Sequence, residues 1–181
     1  MGVRLAACFV VLLACAARSH AQGAQSVYTD LTGGKCKSVV TEDEGGGGAS
    51  SITRCPGVAD FRLVVLDDDN RQSVTVVRPD GTEHPLDLWH TVSGAFSTVG
   101  QRAEWRVRRR GGRDEPYALI VRFNYNALPD NPDKIVSGLV VVKITPGAVC
   151  VTDVIPPSAD ANERARRAAD SSAAKPCRRG E

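Results

Sequence analysis

Past residue 21 the chain has only two histidines, His84 and His90, no C-x-x-C pair and no G-x-S-x-G element. Each absence removes a chemistry. Zinc needs further converging ligands, and two histidines six residues apart across Pro85 share no helix face, so both read as surface or edge residues. Serine hydrolysis through a nucleophile elbow has no support. The run Gly45–Gly48 lacks the Lys and Ser or Thr of a phosphate-cradling loop and reads as a mobile connection. Asp67-Asp68-Asp69-Asn70 has the acids of a calcium loop, but Gln72 and Arg78 stand where that loop needs Gly and Glu. It reads as a polar hairpin loop. No catalytic residue, metal ligand or cofactor is assigned, and an enzyme is not the leading expectation.

Long apolar runs are also missing, with one exception. Leu5–Ala17 follows Arg4 and is too short to cross a bilayer. With Ser19-His20-Ala21 behind it, it reads as a signal peptide, residues 1–21, cut to leave Gln22 first. An alternative takes Leu12-Leu13-Ala14-Cys15 as a lipoprotein box, anchored through Cys15. Either reading places the protein outside the cytoplasm, in the periplasm or secreted, with no transmembrane segment in the mature chain. Net charge is missing too. Residues 1–21 hold two of the 23 Lys and Arg and none of the 21 Asp and Glu, so the remainder is formally neutral. A general nucleic-acid binder, which needs a basic field, is not expected.

Removing the leader takes Cys8 and Cys15 and leaves four cysteines. In an oxidising compartment four cysteines read as two disulfides. Three pairings are possible; Cys36–Cys55 and Cys150–Cys177 close the shortest loops and are preferred.

What is present is β-forming sequence. Phe61–Arg78 is rich in β-branched residues, interrupted only by the turn formers at 67–70, and reads as a central antiparallel hairpin. Residues 22–27 read as a loose tail, 28–177 as one β-rich domain, and 178–181 as a frayed end. Within the domain, Lys35–Val40 and Ser51–Cys55 form a strand pair that brings Cys36 to Cys55. Leu86–Trp89 alternates like a short strand, and Phe96 reads as an inward anchor. Ala103, Trp105 and Val107 face the core, while Glu104, Arg106, Arg108 and Arg110 face solvent. Tyr117, Leu119, Val121 and Phe123 line one face of the next strand. Ile135–Thr145 and Val149–Ile155 make a further hairpin around a type II turn. After Pro156-Pro157, Asp160-x-x-Glu163 reads as a capping box that opens a helix to about Lys175. The fold class is α+β: mainly antiparallel β, sandwich or barrel, with one C-terminal helix.

The arginines of 102–113 are the best interaction candidates, because guanidinium groups bind carboxylate or phosphate with two bonds. Charges on an edge strand also deter edge-to-edge pairing, which is the plainer role for them.

The leader, the Cys55-Pro56-Gly57 before Phe61, the Ser73–Val76 arm, the Ala103–Val107 strand and the Ala-rich helix ending in Cys177 resemble a family of small exported bacterial proteins of unassigned function. That resemblance implies a β-rich domain and no reaction. A shorter one concerns the periplasmic and membrane-associated C-type lysozyme inhibitors. Ser93-Gly94-Ala95-Phe96 before Trp105 is similar to their Ser-Gly-Ala-aromatic stretch, with Phe96 for Tyr and Trp105–Arg108 for Trp-Thr-Lys-Gly. It implies binding of a wall-active enzyme. The reading is therefore a disulfide-stabilised binding domain of the bacterial envelope, with Ser93, Phe96, Arg106 and Arg108 as candidate contact residues. The alternatives are an inhibitor of a lysozyme-type enzyme and an envelope hydrolase with an unrecognised site.

Overall fold

The computed structural model describes residues 23–42, 49–128 and 131–180. The leader with Cys15 and Gln22, the Gly45–Gly48 run and residues 129–130 lie outside them. In chain order come β1 (Gln25–Asp30), β2 (Lys37–Glu42), β3 (Ala49–Pro56), β4 (Arg62–Asp68), β5 (Arg71–Val77) and β6 (Glu83–Pro85). A one-turn helix α1 (Leu88–Thr91) precedes β7 (Ser97–Arg110), β8 (Arg113–Leu128), β9 (Asn131–Thr145) and β10 (Ala148–Ile155). Helix α2 (Ala161–Asp170) and a 3-10 turn (Ser172–Ala174) end the chain.

The strands form two antiparallel halves. One runs β1-β7-β8-β9-β10, the other β6-β5-β4-β3-β2, and a single parallel bridge, Arg71 to Ser97, links them. Their inner faces share one core: Leu63, Val65, Val74 and Val76 from one half, Trp105, Val107, Leu119, Val121, Phe123, Val140 and Val142 from the other. The fold is α+β and mainly antiparallel, with one C-terminal helix, as the alternation of β-branched residues implied. The hairpin β4–β5 is central and pairs Leu63 with Val76 and Val65 with Val74.

Both disulfides pair as the short loops suggested: Cys36–Cys55 and Cys150–Cys177. The first ties the start of β2 to β3. The second ties the segment beyond α2 to β10.

Several local expectations are corrected. Residues 25–27 are not a tail; they pair with β7, Gln25 opposite Val107. Leu88–Thr91 is helical, entered through Asp87 at φ 50°, so Leu86–Trp89 is not a strand. The helix near the C-terminus stops at Asp170, and no capping box forms: the Asp160 carboxylate takes the Ser158 hydroxyl at 2.7 Å. Lys175 serves no helix terminus and instead donates to Asp153 of β10 at 2.7 and 2.8 Å. Gly147 has no positive φ, so the β9–β10 turn is not type II. Arg178 is held by its backbone N–H to Val151 O at 2.7 Å, so the end is not frayed there.

Candidate functional site

Strand β7 determines where polar groups can gather. Its inner residues, Ala103, Trp105 and Val107, are fully buried in the core, and the Trp105 indole N–H donates to Thr29 Oγ1 at 2.8 Å. Alternation puts Glu104 and Arg106 on the outer face, as expected. That face is not solvent. Ala165 and Ala169 of α2 pack on Ala118, Ile120, Leu139 and Val141, and the small stripe lets the helix lie close. Glu104 and Arg106 are left only 8% and 6% exposed.

Burying two charges is costly unless each is paired and fully hydrogen-bonded. Both are. Arg106 donates from Nε and Nη2 to the two carboxylate oxygens of Asp170, at 2.8 and 2.9 Å, and from Nη1 to Ser26 Oγ at 2.6 Å. Ser26 Oγ donates to Glu104 Oε1 at 2.5 Å, and Arg166 reaches Glu104 with Nε at 2.7 Å. Tyr117 donates to Asp170 at 2.6 Å. Burial pushes both acids up, but their hydrogen bonds and the arginine charges outweigh it, and both are held below the ordinary carboxylate range. Acids locked ionised in this way suit helix docking and not proton transfer. Arg106, a candidate contact residue, is therefore committed to the protein's own interior.

Beyond this network the outer face opens into a cleft of about 530 Å³. Its apolar lining is Phe61, Pro116, Ile144, Pro146 and Ala173; its charged lining is Arg78, Arg108, Arg110, Asp114 and Glu115. A bulge in β8 makes it. Arg106 pairs with Ala118 but Val107 pairs with Pro116, so Tyr117 is the extra residue. Tyr117 is thereby turned off the Leu119–Phe123 face and packs on the outer side, where Arg108 stacks 4.1 Å from its ring centre. Arg110 pairs with Glu115 at 3.5 Å. Arg78 and Arg108 have no carboxylate within ion-pair distance among the described residues. Arg78 donates to His84 Nε2 at 2.9 Å and to Thr145 O.

The other predicted contacts lie elsewhere. Ser93 and Phe96 precede β7 at its start, and Arg108 stands near its end. At ~3.3 Å per residue the separation is on the order of 30 Å, so they do not form one site. Phe96 is not an inward anchor: it is 54% exposed, with Arg71 5.4 Å over its ring and Arg71 Nε bonded to Gly94 O. Ser93 Oγ accepts the Ala95 N–H within the loop.

Arg78 and Tyr117 were missed as site residues. Arg78 sits in the Arg78-Pro79-Asp80-Gly81 turn, whose composition announces only the turn, and no sequence signal marks a one-residue bulge. Among the described residues no cluster of His, Cys, Asp and Glu is arranged to hold a metal, and no helix is long and apolar enough to cross a membrane. No family model, no curated protein and no solved structure matches the chain.

Proposed function

We propose that the chain is an exported, disulfide-stabilised binding domain, and that the cleft between Arg78 and Arg108 takes an anionic ligand with an apolar body. One observation carries this reading. Two guanidinium groups with no carboxylate within ion-pair distance among the described residues flank apolar surface from Phe61, Ile144 and Pro146. An arginine in that setting gains most from a carboxylate, phosphate or sulfate, which it binds with charge-assisted bonds. The apolar lining favours a ligand that also removes hydrocarbon from water. Export is supported by the leader-like sequence and is consistent with two disulfides, which persist in oxidising compartments.

The test uses dodecanoate and dodecyl phosphate against dodecyltrimethylammonium, each below its micellar concentration, read by calorimetry and Trp fluorescence. Trp105 stands next to Phe61, their ring centres 5.8 Å apart, so the cleft has a nearby reporter. The anions should bind, the cation should not, and Arg108→Ala should weaken the anions by about tenfold. Equal binding of both charges, or no effect of Arg108→Ala, refutes the site.

A second reading rests on the exposed Phe96. An aromatic side chain presented on a loop beside an arginine is the composition of a protein-contact anchor. It supports binding of a wall-active enzyme through the Ser93–Phe96 loop and Arg71, at the end of the fold away from the cleft.

A further inference from the structure

The two arginines of the cleft are held by different means. Arg78 is fixed by hydrogen bonds, from Nε to His84 at 2.9 Å and from Nη2 to the Thr145 carbonyl. The Arg108 side chain makes no hydrogen bond or ion pair among the described residues. Glu115 stands opposite it on β8, but that carboxylate is taken by Arg110 at 3.5 Å. What Arg108 meets instead is the ring of Tyr117, with its guanidinium carbon 4.1 Å from the ring centre. Tyr117 is itself held at both ends. Its ring packs against the cluster of Ala118, Ile120, Ala165 and Ala169. Its hydroxyl donates to Asp170 Oδ1 at 2.6 Å, and Arg106 grips the same carboxylate with two bonds. Without the extra residue of the β8 bulge, position 117 would fall on the Leu119–Phe123 face, inside the core and away from Arg108.

An unattached arginine samples many rotamers, and an anion that orders it meets that entropic cost on binding. A guanidinium drawn to an aromatic face is ordered in advance. We propose that Tyr117 is a positioning residue of the cleft: its ring holds Arg108 ready for the anion, and its hydroxyl ties that ring to the end of α2. The proposal rests on the cleft reading above. It adds that selectivity for an anionic head is set by a neutral side chain, and that the docking of α2 holds this side chain in place.

The test compares dodecanoate with dodecan-1-ol, a neutral chain of the same length, by Trp fluorescence, each below the concentration at which it aggregates. A damaged cleft would weaken both probes, whereas a misplaced Arg108 weakens only the anion. Tyr117→Leu should weaken dodecanoate about fivefold and leave dodecanol within about twofold. Tyr117→Phe keeps the ring and should recover most of that loss. With Arg108→Ala already in place, Tyr117→Leu should cost dodecanoate less than about twofold further, because the two residues act through one contact. Arg108→Lys, an exposed change that keeps the charge and stacks less well on a ring, should also weaken dodecanoate, and it decides the matter if Tyr117→Leu does not fold. Full dodecanoate affinity in Tyr117→Leu overturns the proposal. So does an equal loss for both probes, a Phe variant as weak as the Leu variant, additive losses in the double variant, or wild-type affinity in Arg108→Lys. If the wild type does not prefer dodecanoate, or Arg108→Ala leaves it unchanged, the cleft reading itself has failed and this proposal falls with it.

Discussion

Arg106 of β7 and Asp170 at the end of α2 form a two-bond ion pair, Nε to Oδ1 at 2.8 Å and Nη2 to Oδ2 at 2.9 Å. The arginine is buried and the carboxylate is partly open to solvent. The pair fixes the C-terminal end of the helix, while Arg166 and Glu104 fix its middle.

Removing one partner should therefore cost more than removing both. Asp170→Ala strips both carboxylate bonds from a buried guanidinium, and should lower stability by about 2 kcal/mol. Arg106→Met with Asp170→Ala replaces the charge with apolar volume and should recover part of that loss. Denaturant unfolding of the two variants and the wild type at neutral pH gives the comparison. Equal losses would mean that Arg106 is hydrated despite its burial.

The same network sets an acid limit. Glu104 and Asp170 are held below their ordinary values, so the folded state binds these protons less readily than the unfolded chain. Their contribution is complete above the unfolded values, near pH 4, and is lost as pH falls through the lower folded ones. Unfolding free energy should fall steeply between about pH 5 and pH 2. E104Q with D170N should be less stable at pH 7 and should lose less over that range. At the alkaline end, Tyr117 is pushed up to about 12 by burial and by its bond to Asp170. Its contribution is fully present below about pH 10 and is lost as pH rises from there through the folded value of about 12.

The disulfides should act as separate clamps. The bonded cysteines are 19 and 27 positions apart, and in the chain-entropy model loops of such lengths supply about 3 and about 3.5 kcal/mol. Replacing Cys150 and Cys177 together by Ser should lower stability by about 3.5 kcal/mol and loosen the segment beyond α2, with β7–β8 unchanged by amide exchange. Peptide mapping without reductant should return only the 36–55 and 150–177 pairs.

The disulfides and the central hairpin could be read from sequence because their causes are local. Short loops bring Cys36 to Cys55, and the alternation of Leu63, Val65, Val74 and Val76 is its own record of a two-faced strand pair. The site was less legible because its causes are tertiary. The run Glu104, Arg106, Arg108 has the pattern of a wet face, and only the landing place of α2 makes two of these residues interior. The Ala161–Ala169 stripe announces a helix that can pack closely, without naming the strands beneath it. Tyr117 was placed with Leu119, Val121 and Phe123 by parity, and one extra residue in β8 reverses that parity. Phe96 was expected inside because large aromatics usually are; its loop holds it outside, against Arg71.

That exposed ring allows the two functional readings to be separated in one protein. The lysozyme-binding reading places contact at Phe96 and Arg71, the cleft reading at Arg78 and Arg108, at opposite ends of β7. Wall suspensions should lose turbidity more slowly under several lysozyme types when the protein is in stoichiometric excess. If Phe96 is the anchor, Phe96→Ala should restore most of the lost rate, because truncating a central aromatic at an interface typically costs about 2 kcal/mol or more. The substitution should be structurally mild, since the ring is more than half exposed. Arg108→Ala should leave the slowing intact while weakening dodecanoate. Lysozyme active sites use carboxylates, which an arginine beside Phe96 could pair with in a desolvated cleft. A basic enzyme surface would oppose that approach, so the slowing should grow stronger as salt is raised from low to moderate levels. Absence of slowing with every lysozyme type would end the enzyme-binding reading and leave the cleft as the surviving site. Slowing that Arg108→Ala removes and Phe96→Ala does not would reverse the assignment of the two ends.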